Sequence, residues 1–421
     1  MLRNYDTKQK NKVRAITFKY LVKTLSKMDI YQESLDFHKK YKGKLQTTSP
    51  FSLKTKKDLS LAYTPGVAEP CRAIAKDPSK VYDYTIKSHT VAVISDGSAV
   101  LGLGNIGAEA GIPVMEGKCV LFKELAGLDA FPICVKTQDV DEIVTIVKNI
   151  APVFGAVNLE DISAPRCFEV EAKLQDIGIP VMHDDQHGTA VVVLAALVNA
   201  LKVVGKNFED ITVVVSGAGA AGTAITKMLV CGGISTKVCI PVKDVLLCDS
   251  HGIIHKKRTD LNGSKKELVK ITNKSGKTGT FADAFKGADV FIGVSAPNIV
   301  TSDMIKSMAQ HAIVFAMANP VPEIMPDAAL SAGAMVVGTG RSDYPNQVNN
   351  ALGFPGIFKG ALEASAVRIT PEMRHAAAYA LAGSVVPTRD AILPSVLDKN
   401  VVLKVADAVR KKAIEQDVVR K

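Results

Sequence analysis

From residue 91 onward the apolar positions come in short runs of the kind that form buried strands, each followed by a stretch with helical spacing. VAVISDG (91–97) is such a run, ending in a turn, and FPICVKT (131–137) is another. Between them VLGLGNIG (100–107) is glycine-rich and GKCVLFKELAG (117–127) has a helical pattern. In DEIVTIVKNIAP (141–152), Ile143, Val144, Val147 and Ile150 share one helical face. FGAVNLEDI (154–162) predicts a strand ending in two acids, and PRCFEVEAKLQDIG (165–178) a helix with Gly178 near its end. IPVMHDDQHG (179–188) reads as a strand running into a loop, and HGTAVVVLAALVNALKVVG (187–205) as a long helix closed by Gly205. Further strands follow at ITVVVSGAGAAG (211–222), VLLCDSHG (245–252), ADVFIGVSAP (288–297) and IVFAMANP (313–320). On the N-terminal side a short helix (29–41), a Pro/Gly loop (61–70) and a helix (70–76) are expected, and about 356–421 reads as helices. The strand–helix alternation predicts an α/β fold with doubly wound, mostly parallel sheets.

Charge changes the picture at one end only. The net charge is +10, and residues 1–60 hold 15 Lys/Arg against 5 Asp/Glu, while the remaining residues balance. The body therefore offers no basic field for nucleic acid. Residues 1–27 carry eight Lys/Arg and one acid, Asp6, and are expected to be a basic extension. They read either as an organelle-targeting segment or, preferably, as a tail outside the fold. No apolar secretory h-region precedes a small-residue cleavage site, so a cytoplasmic location is expected. The longest apolar stretch, 190–198, is too short to span a bilayer. The seven cysteines show no CxxC pair, which suggests reduced thiols.

Two constellations carry chemistry. GAGAAG places Gly217, Gly219 and Gly222 between a strand and a helix. That order suits a dinucleotide: a tight turn, close approach of the pyrophosphate, and a helix N-terminus that attracts phosphate. Asp249 ends the following strand, where a carboxylate accepts from a ribose 2′-OH and favours NAD, although Lys256, Lys257 and Arg258 follow closely. The second constellation is acidic. Glu160 and Asp161 end one strand, Asp184 and Asp185 the next, and parallel strands show those ends at one edge. Such carboxylates either hold Mg²⁺ or Mn²⁺ or are solvated strand ends and helix caps. His183 and His187 have the spacing of a zinc pair but lack its glutamate, and read as loop histidines. SGKT (275–278) lacks the leading glycine of a phosphate loop.

Taken together, LAYTPGVAEP (61–70), SDGSAVLGLGNIGAEAGIPVMEGKCVLF (95–122), NLEDI (158–162), MHDDQHGTA (182–190), VVSGAGAAG (214–222), AMANPVPEI (316–324) and GRSDYPNQVNNALGFPGIF (340–358) resemble the malic enzymes. The small-subunit, mainly bacterial form is the nearer match, over roughly residues 30 to 400. The resemblance implies a substrate- and metal-binding domain at 28–186, a Rossmann-type dinucleotide domain at 187–350 and a helical segment at 351–421. Tyr63 matches the family's general acid, Lys118 its general base, and Asp184 the acid paired with that lysine. Glu160, Asp161 and Asp185 match the metal ligands. Cofactor contacts are expected from Gly217, Gly219, Ala220, Ala221, Gly222, Asp249, Ser295 and Asn319, and substrate contacts from Asn319 and Asn349. One position departs: Ala99 stands where the large-subunit enzymes carry an arginine for a substrate carboxylate, and the small form lacks that arginine too.

The implied reaction is oxidation and decarboxylation of L-malate to pyruvate and CO₂ with NAD or NADP, by a homodimer or higher homo-oligomer. A lysine base at pH 7 requires a lowered pKa, which burial and a nearby cation supply. Two rivals remain at this level: a metal-free Rossmann dehydrogenase of the amino-acid dehydrogenase kind, and a non-catalytic NAD-sensing module. Neither accounts for the acidic cluster or for the YTPGV and GIPVMEGK segments.

Overall fold

A computed structural model describes residues 30–235 and 239–420; the basic extension 1–27 lies outside the described residues. The chain divides into a unit ending at Pro50 and a unit from Phe51 to Lys421. The first contains a helix over 30–41. The second, Phe51–Lys421, holds all the described strands.

Its strands form two sheets. In the first, β1 (Thr90–Ser95), β2 (Asp129–Cys134), β3 (Ala156–Leu159) and β4 (Val181–His183) lie in the order β2-β1-β3-β4, all parallel. In the second, β5 (Thr212–Ser216), β6 (Asp244–Asp249), β7 (Gly252–Ile253), β8 (Val290–Gly293), β9 (Ile313–Ala316) and β10 (Val336–Thr339) lie in the order β10-β9-β8-β5-β6-β7. Only β7 is antiparallel. Interior strands such as β1 are buried along their whole length, whereas β2, at an edge, is half-buried throughout. That is the burial expected of parallel sheets covered on both faces.

The crossover helices follow their apolar stripes. These are α1 (Ala108–Leu121), α2 (Val140–Ile150), α3 (Arg166–Leu174), α4 (Asp184–Val204) and α5 (Ala220–Leu229). Asp139 caps α2 by accepting from the N–H groups of Asp141 and Glu142, and Ile143, Val144 and Val147 are buried on its inner face. The C-terminal helices α6 (Phe354–Glu363), α7 (Pro371–Ala382) and α8 (Lys399–Glu415) close the unit. One continuous apolar core joins β1 and β5, the length of α4, and α6 to α8. By length and composition α4 is apolar enough to cross a membrane, but most of it is buried in this core, where its all-round apolarity is satisfied.

The structure corrects the expected elements at four places. Helix α1 begins at Ala108, not near 117, and keeps Gly111, Pro113 and Gly117 inside it. Burial of Met115, Cys119 and Phe122 outweighs their poor helix propensity. Asp184 and Asp185 are the first residues of α4 rather than a strand end, since β4 stops at His183. A helix at Lys56–Ala62, with a Thr55–Asp58 capping box, precedes the Pro/Gly loop. Finally, Cys231 and Cys239 form a disulfide, against the expectation of reduced thiols throughout. The chain turns back after α5 and brings their Cα atoms to 5.8 Å, a closure that no short cysteine motif announces.

A candidate active site between the two sheets

The C-terminal edges of both sheets open on one cavity of about 580 Å³. Ala99, Leu101 and Gly102 reach it from the loop after β1, Glu160 to Ala164 from the loop after β3, and Asp185 from α4. The second sheet contributes Gly219 to Ala221 after β5, Ser295 after β8, Asn319 after β9 and Asn349 after β10. Strand order reverses between β1 and β3 and again between β5 and β8, so the two topological switch points face each other across this space.

At its floor lies Lys118, 7% exposed. Its Nζ donates to Asp184 Oδ2 at 2.7 Å, stands 2.9 Å from Glu160 Oε1, and sits 4.3 Å from the centre of the Phe354 ring. Burial works against the ammonium, but the Asp184 and Glu160 carboxylates outweigh it and hold Lys118 above its ordinary pKa. The lowered value expected from the sequence is therefore not what this cluster produces by itself. Burial pushes the carboxyls of Asp184 and Glu160 upward in turn. Asn158 fixes Glu160 by donating to its second oxygen at 2.8 Å.

Glu160, Asp161 and Asp185 each offer an oxygen within 4.8 Å of the others. Asp161 is held at φ 54°, a left-handed conformation rare outside glycine, and its N–H donates to Asp185 Oδ2 at 2.8 Å. Burial, then the neighbouring Asp185 charge, pushes Asp161 up to about 8, and its Oδ2 is buried without a partner. Three converging oxygens, one of them orphaned, fit a hard divalent cation, and the all-oxygen donor set suits Mg²⁺ or Mn²⁺.

The dinucleotide side is built from backbone. Gly217 adopts φ 107°, and a Cβ on Gly222 would come within 1.8 Å of the Gly217 carbonyl oxygen. A Cβ on Gly219 would meet nothing within 4 Å, so its absence keeps free the space that a pyrophosphate needs. No side chain caps α5, whose first N–H groups at Ala220 and Ala221 face the cavity. The Ser295 and Ser216 hydroxyls, 2.7 Å apart, tie the ends of β8 and β5 together.

Asp249 differs from expectation. Its carboxylate is not an open acceptor: Arg258 donates to both oxygens at 2.7 and 3.0 Å, and Lys265 donates as well. These cations hold it below the usual carboxylate range. The antiparallel hairpin β6–β7 turns Arg258 inward, whereas Lys256 and Lys257 are exposed. Lys265, sixteen residues away in sequence, has no signal of its own there.

Asn319 and Asn349 both line the cavity. Asn349 Oδ1 accepts from the Ala351 N–H at 2.9 Å, which orients the amide. Tyr63 is not brought in: it is 67% exposed at the end of the Lys56–Ala62 helix and lies outside the cavity lining. Ala99 lines the cavity, and its N–H donates to the Asp161 carbonyl at 2.9 Å. Among the described residues no arginine takes the place of the absent clamp; Arg166 is spent on Asp96 and Gln138. His183 and His187 are not loop residues. His183 is buried at the start of α4, and His187 pairs with Glu171 at 3.0 Å.

Two buried acids escaped the sequence reading. Glu171 receives the His183 N–H (2.9 Å), Gln186 (3.2 Å) and His187, and so anchors the turn that presents Asp184 and Asp185. Glu323 lies under the ends of β8 and β9; it falls within the AMANPVPEI motif (316–324), which gave it no role.

Fold and site define an α/β oxidoreductase in which a dinucleotide crevice meets a lysine–carboxylate cluster. Comparison with known proteins agrees: residues 40–175 match the malic enzyme N-terminal domain and residues 186–414 the malic enzyme NAD binding domain. The chain belongs to the malic enzyme family. It is 54% identical over 385 residues to the NAD-dependent malic enzyme of Geobacillus stearothermophilus, covering 90% of this chain and 78% of that one. It is 47% identical to the NADP-dependent malic enzyme of Haemophilus influenzae, covering 92% of this chain and 53% of that protein. The crystal structure of an NAD-dependent malic enzyme from Thermotoga maritima superposes with a TM-score of 0.85 at 49% identity, over 89% of this chain and 98% of that one.

Proposed function

We propose that the chain catalyses oxidative decarboxylation of L-malate to pyruvate and CO₂ with reduction of a nicotinamide dinucleotide. The observation that carries this is the Lys118–Asp184 pair at 2.7 Å, set beside three convergent carboxylates in the cavity that the glycine loop enters.

Glu160, Asp161 and Asp185 would hold a divalent cation, which would supply Lewis acidity for oxidation at C2 and for the decarboxylation. The chain's own residues move the protons. Lys118 receives the C2 hydroxyl proton, while the dinucleotide held at the glycine loop would serve as the hydride acceptor. Its Nζ stands 2.7 Å from Asp184 Oδ2, the group to which it can pass its own proton, and the charge of a cation bound beside it would favour the neutral amine. Asn319 and Asn349 orient the substrate from the side of the second sheet. After CO₂ has left, Tyr63 protonates C3. Since Tyr63 stands exposed and outside the cavity, we assign the acid at each site to a second copy of the chain. Phe51, Leu53, Leu59 and Leu61, exposed on the same stretch as Tyr63, suit such an apolar interface.

NAD is the proposed cofactor. Asp249 supports it, since a 2′-phosphate would meet this carboxylate; Arg258 and Lys265 soften the discrimination without removing it. The test is absorbance at 340 nm with L-malate and Mn²⁺, using NAD and NADP separately. Absence of malate-dependent reduction with either cofactor would refute the assignment.

A further inference from the structure

β8 and β9 pair in parallel up to Gly293 and Ala316, and the Met317 N–H still donates to the Gly293 carbonyl at 3.0 Å. Beyond that point the two chains diverge toward the cavity, one leading to Ser295 and the other to Asn319. The gap between them is filled by a side chain that the reaction does not use. Glu323 is fully buried, at 0% exposure. Its Oε1 accepts the Ser295 N–H at 2.9 Å and its Oε2 the Ala318 N–H at 3.0 Å. Its backbone carbonyl accepts the Val300 N–H at 3.1 Å, and the neighbouring Pro322 carbonyl the Asn298 N–H at 3.1 Å. One short segment thus fastens both loops.

Gly293 makes room for this arrangement. A Cβ there would lie 2.4 Å from Glu323 Cδ and 2.6 and 2.7 Å from its oxygens. No residue but glycine fits at the end of β8 while the carboxylate stays in place.

We propose that Glu323 is a positioning residue: its two backbone hydrogen bonds set the spacing of Ser295 and Asn319 and thereby the fit of the nicotinamide half of the cofactor. This rests on the dinucleotide reading of the cavity given above. Two N–H groups from different loops converge on one carboxylate, a geometry that fixes the loops relative to each other more tightly than either fixes itself. Without the carboxylate both N–H groups lose their acceptor in a dry interior, and the loops must move to find others. The carboxylate trio belongs to the other sheet and has no bond to Glu323, so metal affinity should not follow.

The experiment measures NADH dissociation constants by cofactor fluorescence, and Mn²⁺ dissociation constants by electron paramagnetic resonance. It uses wild type, Glu323→Gln, Glu323→Ala and Gly293→Ala. Glu323→Ala should weaken NADH roughly tenfold to a hundredfold, the effect of a displacement near 1 Å at a binding site. Glu323→Gln keeps one acceptor oxygen and turns an amide toward the other N–H; it should weaken NADH by more than about threefold but less than alanine does. Mn²⁺ affinity should stay within about twofold, and KM for NAD should rise more than KM for malate. Gly293→Ala should weaken NADH by itself but add little in the Glu323→Ala background, because the two changes remove the same contact. NADH affinity within about threefold of wild type in folded Glu323→Gln would overturn the proposal, as would a parallel loss of Mn²⁺ affinity, which marks general damage. If Glu323→Ala does not fold, Glu323→Gln and Gly293→Ala decide alone. Failure of the wild type to bind NADH would instead overturn the cofactor reading of the cavity.

Discussion

Lys118 Nζ lies 2.7 Å from Asp184 Oδ2 and 2.9 Å from Glu160 Oε1, so one ammonium joins α1, the end of β3 and the first turn of α4. Its charge state is set by these neighbours more than by burial. Removing either member of the pair should disable proton transfer at C2. Lys118→Ala and Asp184→Asn should each lower kcat for malate by about 10²–10⁴-fold, roughly 3–5 kcal/mol. Steady-state assays with NADH binding as a control for folding check this. A Lys118→Ala enzyme within tenfold of wild type would remove the base from the mechanism.

Tyr63 allows the two halves of the reaction to be separated. Reduction of added oxaloacetate by NADH involves C2 alone, whereas malate turnover also needs protonation at C3. Tyr63→Phe should therefore damage malate-to-pyruvate turnover far more than oxaloacetate reduction, and Lys118→Ala should damage both. If the tyrosine acts across an interface, mixing and reassembling the two variants should restore activity. Random pairing in a twofold dimer returns about a quarter of the sites. No recovery in a demonstrated mixed dimer would place the acid elsewhere.

Glu160, Asp161 and Asp185 make a test by metal removal direct. EDTA should abolish malate turnover, and Mn²⁺ or Mg²⁺ should restore it. Asp185→Ala loses a ligand and also the acceptor for the Asp161 N–H, so it should bind Mn²⁺ at least tenfold more weakly, about 1.4 kcal/mol. Full turnover in EDTA would show that the trio serves only structure.

Asp249 should govern the choice of cofactor through its charge. Asp249→Ser frees Arg258 and Lys265 for a 2′-phosphate and should raise kcat/KM for NADP relative to NAD by about one to two decades. The ratio of the two kcat/KM values is the readout. A wild type that prefers NADP would show that the cations, not the carboxylate, dominate this corner.

Glu171 ties acid stability to the site. Burial alone would raise its pKa, but His187 and its other cationic neighbours bring it down to about 2 from 4.5. A carboxyl depressed in the folded state contributes stability that is fully present above its unfolded pKa and is lost as pH falls through the folded value. Its share should therefore be present above about pH 4.5 and disappear between about pH 4.5 and 2. Glu171→Gln should lower Tm at pH 6 and flatten the acid limb of a Tm-against-pH curve. An unchanged acid limb would refute the role.

What the sequence determined by itself was whatever local pattern controls. Short apolar runs alternating with helical spacing sufficed for two parallel sheets, because a strand buried on both faces can be little else. GAGAAG between a strand and a helix sufficed for the dinucleotide turn, because Gly217 and Gly222 meet steric demands that the backbone imposes and Gly219 leaves room for a pyrophosphate. Glu160 and Asp161 were legible as strand-end residues and Lys118 through the long motif that holds it, whereas Asp184 and Asp185, read as a strand end, open a helix at the same edge. Tertiary structure decided the rest, wherever a group's behaviour depends on partners remote in sequence. Asp249 had Arg258 close by in sequence, but only the fold placed Arg258 and Lys265 on its carboxylate, and only the fold set two carboxylates around Lys118. Glu171 and Glu323 acquire a role only from the N–H groups that converge on them in three dimensions. Whether a polar group is buried, and which charges face it, follows from how separate elements are brought together, and single-residue patterns do not encode that.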